Sequence, residues 1–222
     1  MPAGPAPRIQ VTGRARAGKT TVRHALSLIS AEETSAVDDP GRPDPVLDAD
    51  LLIYVLPGAS NATDRRILAT LPPDRTLVVL NKADAIGLRW ADAAAAAENH
   101  SAALQLTVHP VIATLAARTR SGTVTDADLR TLHRHRDHPD PAFTLAPDLF
   151  TAPAIATDTA DRQRLLARWP LYGISCALIA LRHAPTLPAV TLLQILHSAS
   201  GIDPLHTDLH HRYEQAATRL GT

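Results

Sequence analysis

Residues 13–20 read Gly-Arg-Ala-Arg-Ala-Gly-Lys-Thr. They stand between a short apolar run, RIQVT (8–12), and an amphipathic stretch, KTTVRHALSLIS (19–30), in which Val22, Ala25, Leu26 and Ile29 share one face. A strand that ends in a glycine-bounded turn and enters a helix at Gly-Lys-Thr leaves few architectures open. Glycines let consecutive backbone N–H groups turn inward, and the helix start adds the positive end of its dipole, so such a loop is built to hold phosphate. The expected phosphate-binding residues are Gly13, Ala15, Arg16, Ala17, Gly18, Lys19, Thr20 and Thr21, with Lys19 reaching the terminal phosphates and the Thr20 hydroxyl directed at magnesium.

Lysine usage points the same way. Of 22 basic side chains only two are Lys, at positions 19 and 82. A compact ammonium on a thin stem enters a tight loop and acts as a point charge between phosphates, where a planar guanidinium is too wide. Both lysines are therefore expected at one nucleotide site.

From residue 8 to about 114, short apolar runs alternate with helical patterns, the signature of a parallel sheet wrapped by helices. The expected strands are 8–12, 34–39 (TSAVDD), 50–56 (DLLIYVL), 75–81 (RTLVVLN) and 108–114 (VHPVIAT), with helices over NATDRRILATL (61–71) and WADAAAAAENHSAALQ (90–105). After that the chain turns polar and helical, passes a proline-rich connection at 139–160, and closes with helical segments. Gly201 is the expected left-handed cap before the last of them, whose stripe is Leu205, Leu209, Tyr213, Ala216 and Leu220. The organisation expected is a flexible N-terminus (1–7), an α/β nucleotide-binding domain (8–118) with a mostly parallel five-stranded sheet, and a small α-helical C-terminal appendage (119–222).

A magnesium carboxylate belongs at the carboxyl end of a strand, the edge where open parallel sheets bind ligands. Asp38, at the end of TSAV, meets that requirement. In Asp38-Asp39-Pro40-Gly41 it is the expected metal ligand beside Thr20, with the Gly41 N–H meeting the terminal phosphate. Asn81-Lys82-Ala83-Asp84 follows the fourth run. A carboxylate at Asp84 accepts from both N1–H and the 2-amino group of guanine, a donor pair adenine lacks. Asn81 would bridge the base to the phosphate loop, and the Lys82 stem would lie across the ring.

The ordered set GRARAGKT, DDPG and NKAD resembles the P-loop GTPases of the translation-factor and Ras-like class. Its forms are most similar to the GRPNAGKS and DTPG motifs of the Era-like and dynamin-related branch, over residues 8–118. The resemblance implies GTP or GDP as ligand, Mg²⁺ as cofactor, Lys19 as a catalytic residue, and contacts from Ala113 and Thr114 to the guanine oxygen, although the serine usual there is missing. It departs from the branch in three ways. Asp38 follows Lys19 by only 19 positions, too few for a full first switch; Arg42 stands where Ras-like enzymes carry a water-orienting glutamine; and Arg16 replaces an asparagine that helps bind potassium. A guanidinium at Arg16 would supply that charge itself as a second catalytic residue, which implies slow hydrolysis that potassium does not accelerate.

Composition removes other classes. Formal net charge is zero, so no broad electrostatic case exists for nucleic acid or an acidic membrane. No run reaches the apolar length of a membrane span and the N-terminus lacks a signal-peptide core, so a cytoplasmic location is expected. The lone Cys176 lies in an apolar run as a small hydrophobe. His206, His210 and Glu214 have metal-like spacing but read as a solvated helix face. The functions expected are a regulatory guanine-nucleotide-binding protein with weak GTPase turnover or, from another class, a non-catalytic GTP/GDP-holding scaffold. In either, the helical region could engage a protein partner or a related GTPase. An ATP-dependent kinase would share the loop but not NKAD.

Overall fold

The computed structural model describes residues 5–87 and 89–221. Of the N-terminal segment expected to be flexible, residues 1–4 lie outside that range, residues 5–8 are irregular, and Pro7 is buried. Among the described residues the strands are β1 (Ile9–Gly13), β2 (Glu32–Glu33), β3 (Leu51–Leu56), β4 (Thr76–Asn81) and β5 (Val108–Val111). The helices are α1 (Lys19–Ala25), α2 (Ala62–Leu68), α3 (Trp90–Leu104), α4 (Ala113–Ser121), α5 (Asp126–His135), α6 (Pro147–Phe150), α7 (Thr159–Arg168), α8 (Leu171–His183), α9 (Ala189–Ala199) and α10 (Ile202–Gly221).

The five strands form one all-parallel sheet in the order β2-β1-β3-β4-β5. Every residue of β1, β3 and β4 is buried, which explains why β3 and β4 are apolar almost throughout; in β1 the buried Gln10 and Thr12 bond to Glu32 and Thr34. On one face Leu52, Tyr54 and Leu56 of β3 and Val78 and Leu80 of β4 cluster with Ile67 and Leu68 of α2 and Ala97 of α3. The order reverses at β1/β3, so the crevice at the carboxyl ends of these two strands is where an α/β sheet of this kind takes its ligand.

Two expected elements moved, for local reasons. The strand expected at 34–39 is instead the polar pair Glu32–Glu33; residues 34–37 stay beside β1 through single bonds from Thr34 N to Val11 O (3.1 Å) and Val37 N to Gly13 O (3.3 Å). Helix α1 stops at Ala25 because Ser27 takes a left-handed conformation (φ 55), and Ile29, expected on the buried face, is 94% exposed.

Two compact units divide the chain, one running up to Ala113 and resuming at Gly201, the other comprising Thr114–Ser200. The last helix is thus part of the sheet unit, whereas the change in composition grouped 119–222 together. Its buried residues Ile202, Leu205, Leu209 and Ala216 form the apolar face of a helix that packs on β3 and β5. Asp208 pairs with His109 (3.0 Å), Arg212 donates to the Pro73 carbonyl (2.7 Å) and Arg219 pairs with Asp74 (2.6 Å). At Gly201 (φ 74) a side chain would strike Trp90 and the Pro110 carbonyl, so only glycine turns the chain back there.

The second unit is all helix. Leu165, Trp169, Ile174, Leu178, Leu192 and Leu196 are buried in its core. Its proline-rich connection is organised by Arg162, which is fully buried. The guanidinium donates to the carbonyls of Phe150, Ala152 and Ala156, and its Nε pairs with Asp158 (3.1 Å). His135, also buried, bonds the same carboxylate at 2.9 Å. Cys176 is half-buried, and burial pushes its thiol pKa up. Among the described residues no single helix is long and apolar enough to cross a membrane.

Candidate functional site

The loop between β1 and α1 has the strand, turn and helix order its sequence predicts. β1 ends at Gly13, Arg16 and Gly18 are left-handed (φ 58 and 93), and Gly18 caps α1, which opens on Lys19 and Thr20. Residues in this conformation turn backbone N–H groups toward a common anion. A side chain at Gly18 would stand 2.3 Å from the Asn81 amide nitrogen, so glycine is required there by a neighbour as well as by φ. Lys19 is buried to 8% exposure and its ammonium donates to the Gly13 and Arg14 carbonyls, both at 3.3 Å. These are weak, replaceable partners for a charge that a phosphate would hold better.

Asn81, the last residue of β4, is buried and joins two loops. Its amide nitrogen donates to the Ala17 carbonyl (2.9 Å), and its amide oxygen accepts from Ala113 N (3.2 Å) at the start of α4. Lys82 is left-handed (φ 60) and donates to the Arg16 carbonyl at 3.1 Å. Asn81 and Lys82 therefore join NKAD to the loop between β1 and α1, and Asn81 joins it also to the turn after β5, a link the sequence did not announce. Asp84 sits in the short turn Ala83–Ala85. Although the residue is exposed, neighbouring atoms remove enough water from its carboxyl to raise its pKa, against the opposing pull of its own backbone N–H and of Lys82. Thr114 is exposed on the first turn of α4, and Gly41 (φ 82) lies in an exposed turn closed by Arg42 N to Asp39 O at 3.3 Å. Arg16 is exposed.

The carboxylates are distributed differently from expectation. Asp38, the expected metal ligand, accepts from Ala15 N at 2.7 Å and so lies on the phosphate loop. The carboxylate that meets the Thr20 hydroxyl is Glu33, whose two oxygens stand 2.8 and 3.0 Å from it. One carboxylate and one hydroxyl, completed by phosphate oxygens and water, suit Mg²⁺, which rarely takes an all-protein cage. Among the described residues no group of three or more His, Cys, Asp or Glu could hold a metal by itself. His210 pairs with Glu214 on an exposed helix face (3.2 Å). Glu33 was missed because the strand was expected from residue 34, two residues after β2 begins, which put Glu33 before the strand instead of at its carboxyl end.

A second group was missed. Asp64 and Tyr54 are fully buried; the Tyr54 hydroxyl donates to Asp64 (2.8 Å), the Asn61 N–H donates to it (2.9 Å), and Arg14 Nε is 3.0 Å from it. That Arg14 Nε–Asp64 approach is a charge pairing, not an aligned hydrogen bond. Arg14 also donates to the Ala59 carbonyl at 2.9 Å, so one arginine of the phosphate loop is moored to the β3–α2 connection. Burial, then the bond to Asp64, raises the Tyr54 phenol far above its usual range. The available signals were Asn61-x-x-Asp64, a capping box, and a lone hydroxyl in LLIYVL that had to find a partner. Tyr54→Phe removes one donor from a buried carboxylate and is expected to cost about 1–3 kcal/mol. A fall in the denaturant midpoint at constant slope checks it.

Searches against protein-family models, curated proteins and solved structures found no match to this chain.

Proposed function

We propose that the chain is a guanine-nucleotide-binding protein that uses Mg²⁺ and turns GTP over slowly, in a regulatory role. The observation that carries the reading is Asn81, which joins the phosphate loop at Ala17 to the turn after β5 at Ala113, with Lys82 on the neighbouring Arg16 carbonyl. A base read by Asp84 would lie over β4 and β5, and its phosphates over the start of α1, where Lys19 exchanges two carbonyls for phosphate oxygens. Thr20 and Glu33 would hold the metal. When bound, Mg²⁺ neutralises charge on the outer phosphates and orients them.

Weak turnover follows from what the chain offers the attacking water. Arg42, at the position of the expected glutamine, pairs with Asp39 at 3.5 Å in an exposed turn. Arg16, exposed on the loop, is left beside Lys19 to stabilise developing charge. The same observation on Arg42 favours the second reading, a protein that holds GTP or GDP without hydrolysing it. Titration of the full chain with GTP, GDP and ATP in Mg²⁺, beside single-turnover hydrolysis, tests both. Guanine preference with slow hydrolysis supports the first and guanine preference without hydrolysis the second; equal affinity for ATP and GTP overturns both.

A further inference from the structure

Asp38 is an exposed residue, yet its carboxylate is held by Ala15 N at 2.7 Å, the short end of the range for charge-assisted bonds. Ala15 belongs to the loop whose left-handed residues Arg16 and Gly18 shape it for an anion. The chain therefore places a negative charge of its own at the phosphate loop. Sheet order tells which end of a nucleotide this charge would face. The base-reading residues follow β4 and β5, the phosphate loop follows β1, and Asp38 follows β2 at the far edge of β2-β1-β3-β4-β5. A nucleotide lying along the carboxyl ends with its base at Asn81 has its outermost phosphate toward β2.

Resting on the guanine-nucleotide reading above, we infer that Asp38 is the residue that discriminates between nucleoside diphosphate and triphosphate. It occupies an amide that a terminal phosphate would use, and it sets a like charge beside that phosphate. A diphosphate is one group shorter and leaves the Asp38–Ala15 bond in place; a triphosphate must displace the carboxylate.

The chain on either side of Asp38 suits that exchange. Before it, Val37 is buried and its N–H is bonded to the Gly13 carbonyl, so the approach to Asp38 is fixed to the sheet. Beyond it, residues 39–44 are largely exposed and held by the surface ion pairs Asp39–Arg42 and Asp44–Arg66, which contribute little in water, until the Val46 carbonyl accepts from Gln10 (3.4 Å) and Leu47 packs on the core. Displacing the carboxylate frees a segment that has few other restraints before Val46, so the third phosphate would be reported at the surface by residues 39–44.

The test is equilibrium binding of GDP and of a slowly hydrolysed GTP analogue, in Mg²⁺, to the full-length wild type, Asp38→Ala and Asp38→Asn. Wild type is expected to favour GDP. Asp38→Ala is expected to raise the ratio of analogue affinity to GDP affinity on the order of tenfold, the scale of one charge-assisted hydrogen bond. Asp38→Asn, which loses the charge and keeps an acceptor for Ala15 N, should fall between the two. An unchanged ratio in both variants overturns the inference and leaves the guanine reading standing. A fall in analogue affinity in Asp38→Ala also overturns it and returns Asp38 to the metal. Wild type that binds neither nucleotide overturns the guanine reading and this inference together.

Discussion

Asp84→Asn is expected to weaken GTP and GDP binding by between about 10²- and 10⁴-fold, and to create affinity for xanthine nucleotides. Guanine offers two donors, N1–H and the 2-amino group, to the two oxygens of a carboxylate. Xanthine offers N1–H and a 2-oxo acceptor, which the oxygen and nitrogen of an amide match. The raised pKa of Asp84 adds a pH signature. Two acceptor oxygens exist only while the group is ionised, so guanine affinity is lost as pH falls, and the loss begins at a higher pH than an ordinary carboxylate would give. Titration of wild type and variant with guanine and xanthine nucleotides at several pH values reads both effects. Retained guanine affinity in the variant removes Asp84 from the base site.

Arg162→Ala is expected to destabilise the Thr114–Ser200 unit by about 3–5 kcal/mol, because it strips donors from buried carbonyls at Phe150, Ala152 and Ala156 and a partner from Asp158. Arg162→Met separates volume from bonding: if the bonds matter it fails to restore stability, and if packing alone matters it largely does. The same cluster sets an acid limit. Burial alone would raise the Asp158 pKa, but the bonds from His135, Arg134 and Arg162 hold it at about 2. A carboxyl depressed in the folded state stabilises above its unfolded pKa, roughly 4, and that contribution is lost as pH falls from there through about 2. Denaturant midpoints across that range should drop in wild type, and drop less in Arg162→Ala, where part of the network is already gone.

Much of the first unit was legible because its signals are local. A loop bounded by Gly13 and Gly18, entered from an apolar run and left through Lys-Thr, has essentially one backbone solution, since left-handed residues and a helix start must follow in order. NKAD at the end of a buried strand is equally local, and Asn81 lies where that spacing puts it. Apolar runs of five or six residues read as buried strands because both their faces are covered. What failed was also local in cause. β2 is two glutamates at a sheet edge, where ladder bonds need no apolar side chain, and Ser27 ends α1 in a conformation a side-chain pattern does not announce.

The sequence by itself determined the parallel α/β plan and the succession of strand, glycine-bounded loop and helix over residues 9–25, because each depends on backbone conformations that neighbouring residues impose. Tertiary structure alone decided the pairings across the chain. Thr20 meets Glu33 and leaves Asp38 to the Ala15 amide; Arg14 reaches Asp64 beneath the loop; α10 crosses back to the sheet unit through His109 and Asp74. Several carboxylates lie within reach along the chain for each of these roles. Which one takes a given hydroxyl, amide or guanidinium depends on distances of about 3 Å between segments far apart in sequence, and no residue pattern carries that information until the sheet brings them together.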